Sequence, residues 1–141
     1  MKKKGGFTLI ELVLVISIVS LLIMAVGVTS GVRENAKVHS AAESVKAIRT
    51  AAESYIAAGS MTYTGITVDG LKTSGYLPGS FIATGSNPWG GNYAIAPNTD
   101  PNKVDISLTA VNDSASTRLS ALFANSSAAT SFASGTWTVT F

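Results

Sequence analysis

The chain contains no cysteine among its 141 residues. This absence excludes disulfide bonds, thiolate metal sites, a nucleophilic cysteine and a lipid anchor attached to cysteine. A small exported domain without disulfides has to be stabilised by its core, by a metal ion or by neighbouring molecules in an assembly.

Charged and catalytic side chains are also sparse. Asp, Glu, Lys and Arg make up 13% of the residues, and His39 is the only histidine. Without a cysteine or a second histidine, His39 supports neither a metal site nor a catalytic triad, and we interpret it as solvated or subunit-facing. No catalytic constellation is present in the sequence, so we do not expect an enzyme.

The small excess of positive charge is confined to the N-terminus. Of the 10 Lys and Arg residues, 3 are Lys2, Lys3 and Lys4, so the remaining 7 face 8 Asp and Glu residues. Because the rest of the chain is nearly neutral, nucleic-acid binding is not predicted.

A long apolar run follows these lysines. Residues 7–28 are interrupted only by a few polar or small residues. At about 1.5 Å per residue, a helix of this length is roughly 33 Å long, which is enough to cross a bilayer core. The preceding lysines predict that the N-terminus stays cytoplasmic. We therefore expect residues 7–29 to form a transmembrane helix.

The helical pattern continues after residue 29 with a different composition. Charged residues occupy one side of this amphipathic segment, and Glu43 and Lys46, like Arg49 and Glu53, are spaced to pair on adjacent turns. We expect this half of the helix to cover residues 30–59, with Gly59 as its stop, and we expect bending or melting near Gly27 and Gly31. Apolar residues recur every three or four positions along it: Val38, Ala41, Val45, Ile48, Ala52 and Tyr55.

Residues 60–141 are rich in Gly, Ser, Thr and Asn and predict a globular α+β head domain. Residues 93–96, 104–110 and 136–141 predict strands of a small antiparallel sheet, because the last two alternate apolar and polar side chains. One short helix capped by Asn112, Asp113 or Ser114 is expected to carry Leu119, Leu122 and Phe123. Turns are predicted at Asp69-Gly70, at Gly79 and from Asn87-Pro88 to Gly90-Gly91.

The N-terminal residues carry the most specific motif. Lys2 to Lys4, Gly5-Gly6, Phe7 and Glu11 directly precede or begin the apolar helix, and this arrangement resembles the signature of type IV prepilins and pseudopilins. The resemblance implies a leader peptide of residues 1–6, an aspartyl prepilin peptidase that cuts after Gly6, and methylation of the new amine of Phe7. It also implies the pilin fold, in which the long N-terminal helix packs on the sheet.

Glu11 is the costly residue of this motif. A carboxylate among apolar residues costs on the order of 2.5 to 3.5 kcal/mol near the centre of a membrane helix and less toward its end. The resemblance implies that the positively charged N-terminus of an adjacent subunit compensates it. The expected partners are therefore other copies of the chain, the prepilin peptidase, an inner-membrane assembly platform and, for the precursor, the membrane.

Several functions fit this sequence. The resemblance favours a structural subunit of a type IV pilus, found in the bacterial inner membrane as a precursor and on the cell surface when assembled. Adhesion, twitching motility, conjugation and DNA uptake are all possible roles of such a pilus. The head domain is also similar to type IVb pilins and to major pseudopilins of type II secretion, in residues 75–78, 87–93 and 104–108 with the short helix that follows. A periplasmic pseudopilus or a DNA-uptake filament is therefore the alternative. A membrane-tethered binding domain is the third hypothesis. A secretory signal peptide, cut near Ala25-Val26-Gly27, and an uncleaved single-span protein are further alternatives.

No cofactor is expected, and calcium is the alternative. Major pseudopilins bind calcium, and oxygen ligands here would come from Asn98, Asp100, Asn102 or Asp105, with Asp113 as a further candidate. These residues do not have EF-hand spacing. Asn and Asp side chains that bond their own backbone in a loop are the alternative interpretation.

Overall fold

The computed structural model describes the backbone of residues 9–141 and the side chains of residues 9–24 and 31–141. It confirms an α+β fold in which a long N-terminal helix is followed by a small four-stranded antiparallel sheet. The helices are α1 (Leu9–Ala57), α2 (Val68–Thr73) and α3 (Asp113–Phe123). The strands are β1 (Tyr93–Pro97), β2 (Val104–Leu108), β3 (Ala129–Ala133) and β4 (Thr136–Thr140).

Helix α1 ends where the sequence predicts. Its backbone is helical without interruption from Leu9 to Ala57, and Gly59 follows in the left-handed region with φ +113°. The backbone is also helical at Gly27 and Gly31. The role of these two glycines in helix flexibility stays a prediction.

The sheet has the strand order β1-β2-β4-β3, and every neighbouring pair is antiparallel. A two-residue loop joins β3 to β4, with φ +48° at Ser134 and +76° at Gly135. Two successive residues with positive φ form the tight hairpin turn whose twist matches that of the strands. Helix α3 lies in the connection between β2 and β3 and packs against β3 and β4.

One face of the sheet and the second half of α1 share a single hydrophobic core. The predicted apolar stripe of α1 is buried, apart from Tyr55, which is half-buried against the core. Trp137 is fully buried, and its indole Nε1 donates a hydrogen bond to Ser120 Oγ at 2.9 Å. The sheet contributes alternate residues of three strands, as expected when one face is buried: Tyr93, Ile95, Val104, Ile106, Leu108, Trp137 and Val139.

Three details of the sequence prediction were wrong. Asp69-Gly70 is not a turn but lies in α2, because Thr67 caps the helix by accepting a hydrogen bond from Gly70 N–H at 3.0 Å, and the helix buries Val68 and Leu71. Strand β2 stops at Leu108 rather than at residue 110, because Ala110 turns the chain with φ +60°. Strand β3 was not predicted, since its residues are small and polar apart from Phe132.

The chain divides into two compact units. Residues 36–141 form one unit, which contains the whole hydrophobic core, and residues up to Asn35 belong to the other. Among the residues whose side chains are described, every member of the hydrophobic core lies in residues 36–141.

Candidate assembly surface

The first half of α1 exposes its apolar side chains all around the helix. Every side chain from Leu9 to Met24 is exposed. The exposed fractions of its large apolar side chains range from 47% at Val19 to 83% at Leu9. Monomeric soluble proteins rarely expose a continuous apolar surface of this size, so the surface indicates contact with lipid or with other protein chains.

Two serines interrupt this apolar surface without adding unmet polar groups. The hydroxyl of Ser17 donates to the Val13 carbonyl, and that of Ser20 donates to the Ile16 carbonyl, both at 2.8 Å. A serine that bonds the preceding helical turn in this way leaves no donor to be desolvated. The segment can therefore enter an apolar environment at little cost from its serines.

Glu11 is the exposed carboxylate of this surface and lies in the first turn of α1. It is the only ionisable residue between Leu9 and Met24. The amino end of a helix carries a partial positive charge, which favours an acidic side chain at this position. Gly6 and Phe7, where processing is predicted, lie outside the described residues.

Gly31 is surrounded by open space. A Cβ atom added there would meet nothing within 4 Å.

In the part of the chain that is described, no helix combines the length and the apolar character needed to span a membrane.

A second surface of the head is a groove of about 530 Å³ between α1 and α3. Lys46 and Glu43 pair across its rim at 2.8 Å, as predicted, and the hydrogen bond and charge of Lys46 hold the pKa of the Glu43 carboxyl below its ordinary value. Arg49 and Glu53 form the second predicted pair at 2.7 Å. His39 is exposed at the same groove.

Arg49 of α1 also contacts Ser126, which follows α3, and Phe141, which follows β4. Its Nη1 donates to the Ser126 carbonyl at 3.0 Å, and its guanidinium lies 4.4 Å from the ring centroid of Phe141. The ring of Phe141 in turn contacts Phe123 edge-on. Lys46 and Arg49, the basic side chains of this groove, therefore both have structural partners, and the groove presents mixed charges.

The predicted turn at residues 87–91 is organised by the buried side-chain amide of Asn87. Asn87 is 4% exposed; its Nδ2 donates to the Thr109 carbonyl at 2.7 Å, and its Oδ1 accepts from the N–H groups of Trp89 at 3.0 Å and Gly91 at 2.8 Å. Thr109 Oγ1 accepts from Asn92 N–H at 2.8 Å. This part of the head is therefore stabilised by a polar network. The sequence identifies Asn87 as a turn residue but gives no sign of its contact with Thr109.

The weak calcium candidates bond to one another. Asn98 Nδ2 donates to both carboxylate oxygens of Asp105, at 3.0 and 2.9 Å, and Asn98 Oδ1 accepts from Asp100 N–H at 3.1 Å. Asp100 Oδ1 accepts from Asn102 N–H at 3.0 Å. The bonds from Asp100 N–H and Asn102 N–H are the loop-backbone hydrogen bonds of the alternative interpretation. Among the described residues, no group of three or more His, Cys, Asp and Glu side chains is placed to hold a metal ion.

Two family descriptions match the chain, and together they cover nearly all of it. Residues 1–27 match the prokaryotic N-terminal methylation motif, and residues 29–140 match the family described as PilS N terminal. No curated protein and no solved structure is similar enough to this chain to give a match.

Proposed function

The chain belongs to the type IV pilin family, and from this premise we propose that it is a structural subunit of a type IV pilus. The observation that carries the proposal is the first half of α1, whose apolar side chains are exposed all around the helix. Other copies of the same helix would cover this surface in a filament. Pilins are structural proteins, and we propose no catalytic activity for this one.

The precursor is proposed to enter the inner membrane through residues 7–29, which are apolar and follow the three lysines. A prepilin peptidase then removes the leader, residues 1–6, by cutting between Gly6 and Phe7, and the new amine of Phe7 is methylated. The match of residues 1–27 to the methylation motif supports this step.

Glu11 is proposed to fix the register of assembly. The mature N-terminus carries a positive charge, and the carboxylate of Glu11 on a neighbouring subunit would neutralise it inside the apolar filament core. A buried ion pair contributes more reliably to register than to net stability. The match over residues 1–27, which includes Glu11, supports the role.

Polymerisation would then move the helix from lipid into a bundle of identical helices. Contacts between different patches of identical subunits do not close on themselves and produce a helical filament. Residues 7–29 would form the filament core, residues 30–59 would continue the helix beneath the head, and residues 60–141 would form the outside. An assembly platform in the inner membrane would drive the process.

A pseudopilin of a type II secretion or DNA-uptake system is the second candidate. The observation that favours it is the loop of residues 87–93, whose sequence is similar to major pseudopilins and whose buried Asn87 stabilises the head without a disulfide. Such a filament would stay in the periplasm.

The two candidates differ in where the assembled chain is found. Cells are sheared, and the fibres released into the medium are analysed by electron microscopy and by gel. A pilus subunit is expected as the major band of long surface fibres. The pseudopilin would be favoured if the surface fibres lack this protein and the protein is found in the periplasm. A chain that assembles into no filament would contradict both.

A further inference from the structure

Strand β3 is an open edge of the sheet. It is the last strand of the order β1-β2-β4-β3, and within the described residues no backbone hydrogen bond joins Ala129–Ala133 to any element other than β4. An edge of this kind presents N–H and C=O groups on which another strand can pair.

The hairpin register identifies which groups point outward. Ala133 and Thr136 flank the two-residue loop and are paired, so these two residues exchange their hydrogen bonds. Because hydrogen-bonded and non-hydrogen-bonded pairs alternate along an antiparallel ladder, Thr130 and Phe132 direct their N–H and C=O groups away from β4.

The β3 edge carries neither charge nor proline, the residues that most often prevent edge-to-edge pairing. Residues 119–141 contain no Asp, Glu, Lys, Arg, His or Pro. The exposed side chains of the strand are the small residues Ala129, Ser131 and Ala133. Charges and proline are the usual means of blocking an edge strand.

The opposite edge of the same sheet is closed by the chain itself. Tyr93 N–H donates to the Ala83 carbonyl at 2.7 Å, and Pro97 has no N–H to offer. Between Tyr93 and Pro97, only Ile95 has an outward N–H that is neither hydrogen-bonded within the described residues nor missing. The two edges therefore differ: β1 offers one outward N–H, at Ile95, whereas β3 offers two, at Thr130 and Phe132.

We propose that β3 pairs antiparallel with β3 of a second copy of this chain, centred on Ser131. In this register Thr130 of each copy lies opposite Phe132 of the other, and each such pair exchanges both of its hydrogen bonds. The two Ser131 residues face each other in the non-hydrogen-bonded position, with their Cα atoms about 4.5 Å apart. No like charges meet, because the strand has none.

The symmetry of this contact determines what it connects. Antiparallel pairing of identical strands needs a two-fold axis through the contact, and a polar helical filament has no two-fold axis between its outer head domains. This inference rests on the proposed function: if the chain is a pilus subunit, the contact joins subunits of different filaments side by side. A single five-residue pairing is weak, but its repetition along two filaments makes the association strong.

Cysteine cross-linking tests the pairing directly, because the chain has no cysteine of its own. A Cα separation of about 4.5 Å lies within the range that a disulfide bridges. Filaments of a Ser131→Cys variant are expected to form disulfide-linked dimers under mild oxidation. The matched control is Ala94→Cys, an exposed position on the closed edge strand β1, and it is expected to stay monomeric.

A second variant separates lateral association from folding. In Thr130→Pro the lost N–H is one that points away from β4, so the hairpin keeps its ladder. The variant is expected to yield as many filaments as the unaltered chain, with a loss of their low-speed sedimentation as bundles.

Equal amounts of dimer from Ser131→Cys and Ala94→Cys, or unchanged sedimentation of Thr130→Pro filaments, would overturn the pairing and leave the pilus proposal intact. If the chain makes no filaments, the pilus proposal fails instead. Oxidation of the two cysteine variants in membranes then decides the pairing in the same way.

Discussion

The buried amide of Asn87 brings two backbone segments unusually close together. Gly91, which donates to Asn87 Oδ1, lies against the end of β2, and a Cβ atom added to it would be 2.0 Å from the Thr109 carbonyl oxygen. Such a distance is far below any allowed contact, and the obstacle is backbone rather than a flexible side chain. Glycine is therefore required at this position by close approach.

Replacing Gly91 with alanine should consequently destabilise the head. We expect Gly91→Ala to lower the free energy of unfolding by about 2–4 kcal/mol, because the loop must separate from β2 and loses hydrogen bonds of the Asn87 network. Urea unfolding of the full chain in detergent, followed by tryptophan fluorescence, measures the change. The matched control is Gly79→Ala, where nothing lies within 4 Å. Equal stability of the two variants would show that the network does not hold the loop.

Tyr93 makes stability depend on pH at the alkaline end. Burial raises the pKa of its hydroxyl above the ordinary value of 10.0, against a smaller opposing effect of a hydrogen bond with Ser44. Because the folded state favours the neutral hydroxyl, this contribution to stability is complete below the unfolded pKa and is lost as the pH rises through the folded pKa.

We therefore expect the free energy of unfolding to fall above about pH 10, and to fall less steeply in Tyr93→Phe, which has no hydroxyl to ionise. Urea titrations at a series of pH values between neutrality and the alkaline limit of folding give the two slopes. Identical slopes for the variant and the unaltered chain would exclude Tyr93 as the source.

Among the elements, α3 depends on its first cap. Asn112 precedes the helix and accepts a hydrogen bond from Ala115 N–H at 2.8 Å, and the helix buries Leu119 and Phe123 against the sheet. We expect Asn112→Ala to reduce the free energy of unfolding by about 1 kcal/mol, because an N–H group of the first turn loses its acceptor. Asn112→Ser keeps an acceptor and should stay close to the unaltered chain in the same urea experiment. A loss of the same size in both variants would contradict the capping role.

The elements with a strong local pattern could be predicted from the sequence. The stripe from Val38 to Tyr55 has helical spacing, and β2 and β4 alternate apolar and polar residues, so each pattern depends only on neighbouring residues. The apolar segment and Glu11 of the candidate assembly surface could be predicted for the same reason.

Elements that depend on distant partners could not be predicted. Strand β3 has little strand propensity, and its conformation comes from pairing with β4; the Ser134-Gly135 dipeptide was the available signal for that hairpin. Helix α2 needed Thr67 as a cap together with a core that receives Leu71. The role of Asn87 depends on Thr109, which is remote in sequence.

At the scale of the whole molecule, assembly and head folding should be separable. Glu11 lies in the apolar half of α1, whereas the core belongs to residues 36–141. We expect Glu11→Ala to leave the stability of the head and cleavage after Gly6 unchanged, and to lose most filament yield because the neighbouring N-terminus has no carboxylate partner. Comparing sheared fibres with membrane-bound chain by immunoblot measures this. Normal fibre yield would refute charge neutralisation by Glu11.

The central claim is that the chain is processed as a prepilin and assembles through its N-terminal helix. The most direct test is mass spectrometry of the N-terminal peptide from sheared fibres and membranes. The account predicts a peptide that begins at Phe7 and carries one additional methyl group. A mature chain that begins near Val28, with the apolar helix removed, would contradict it.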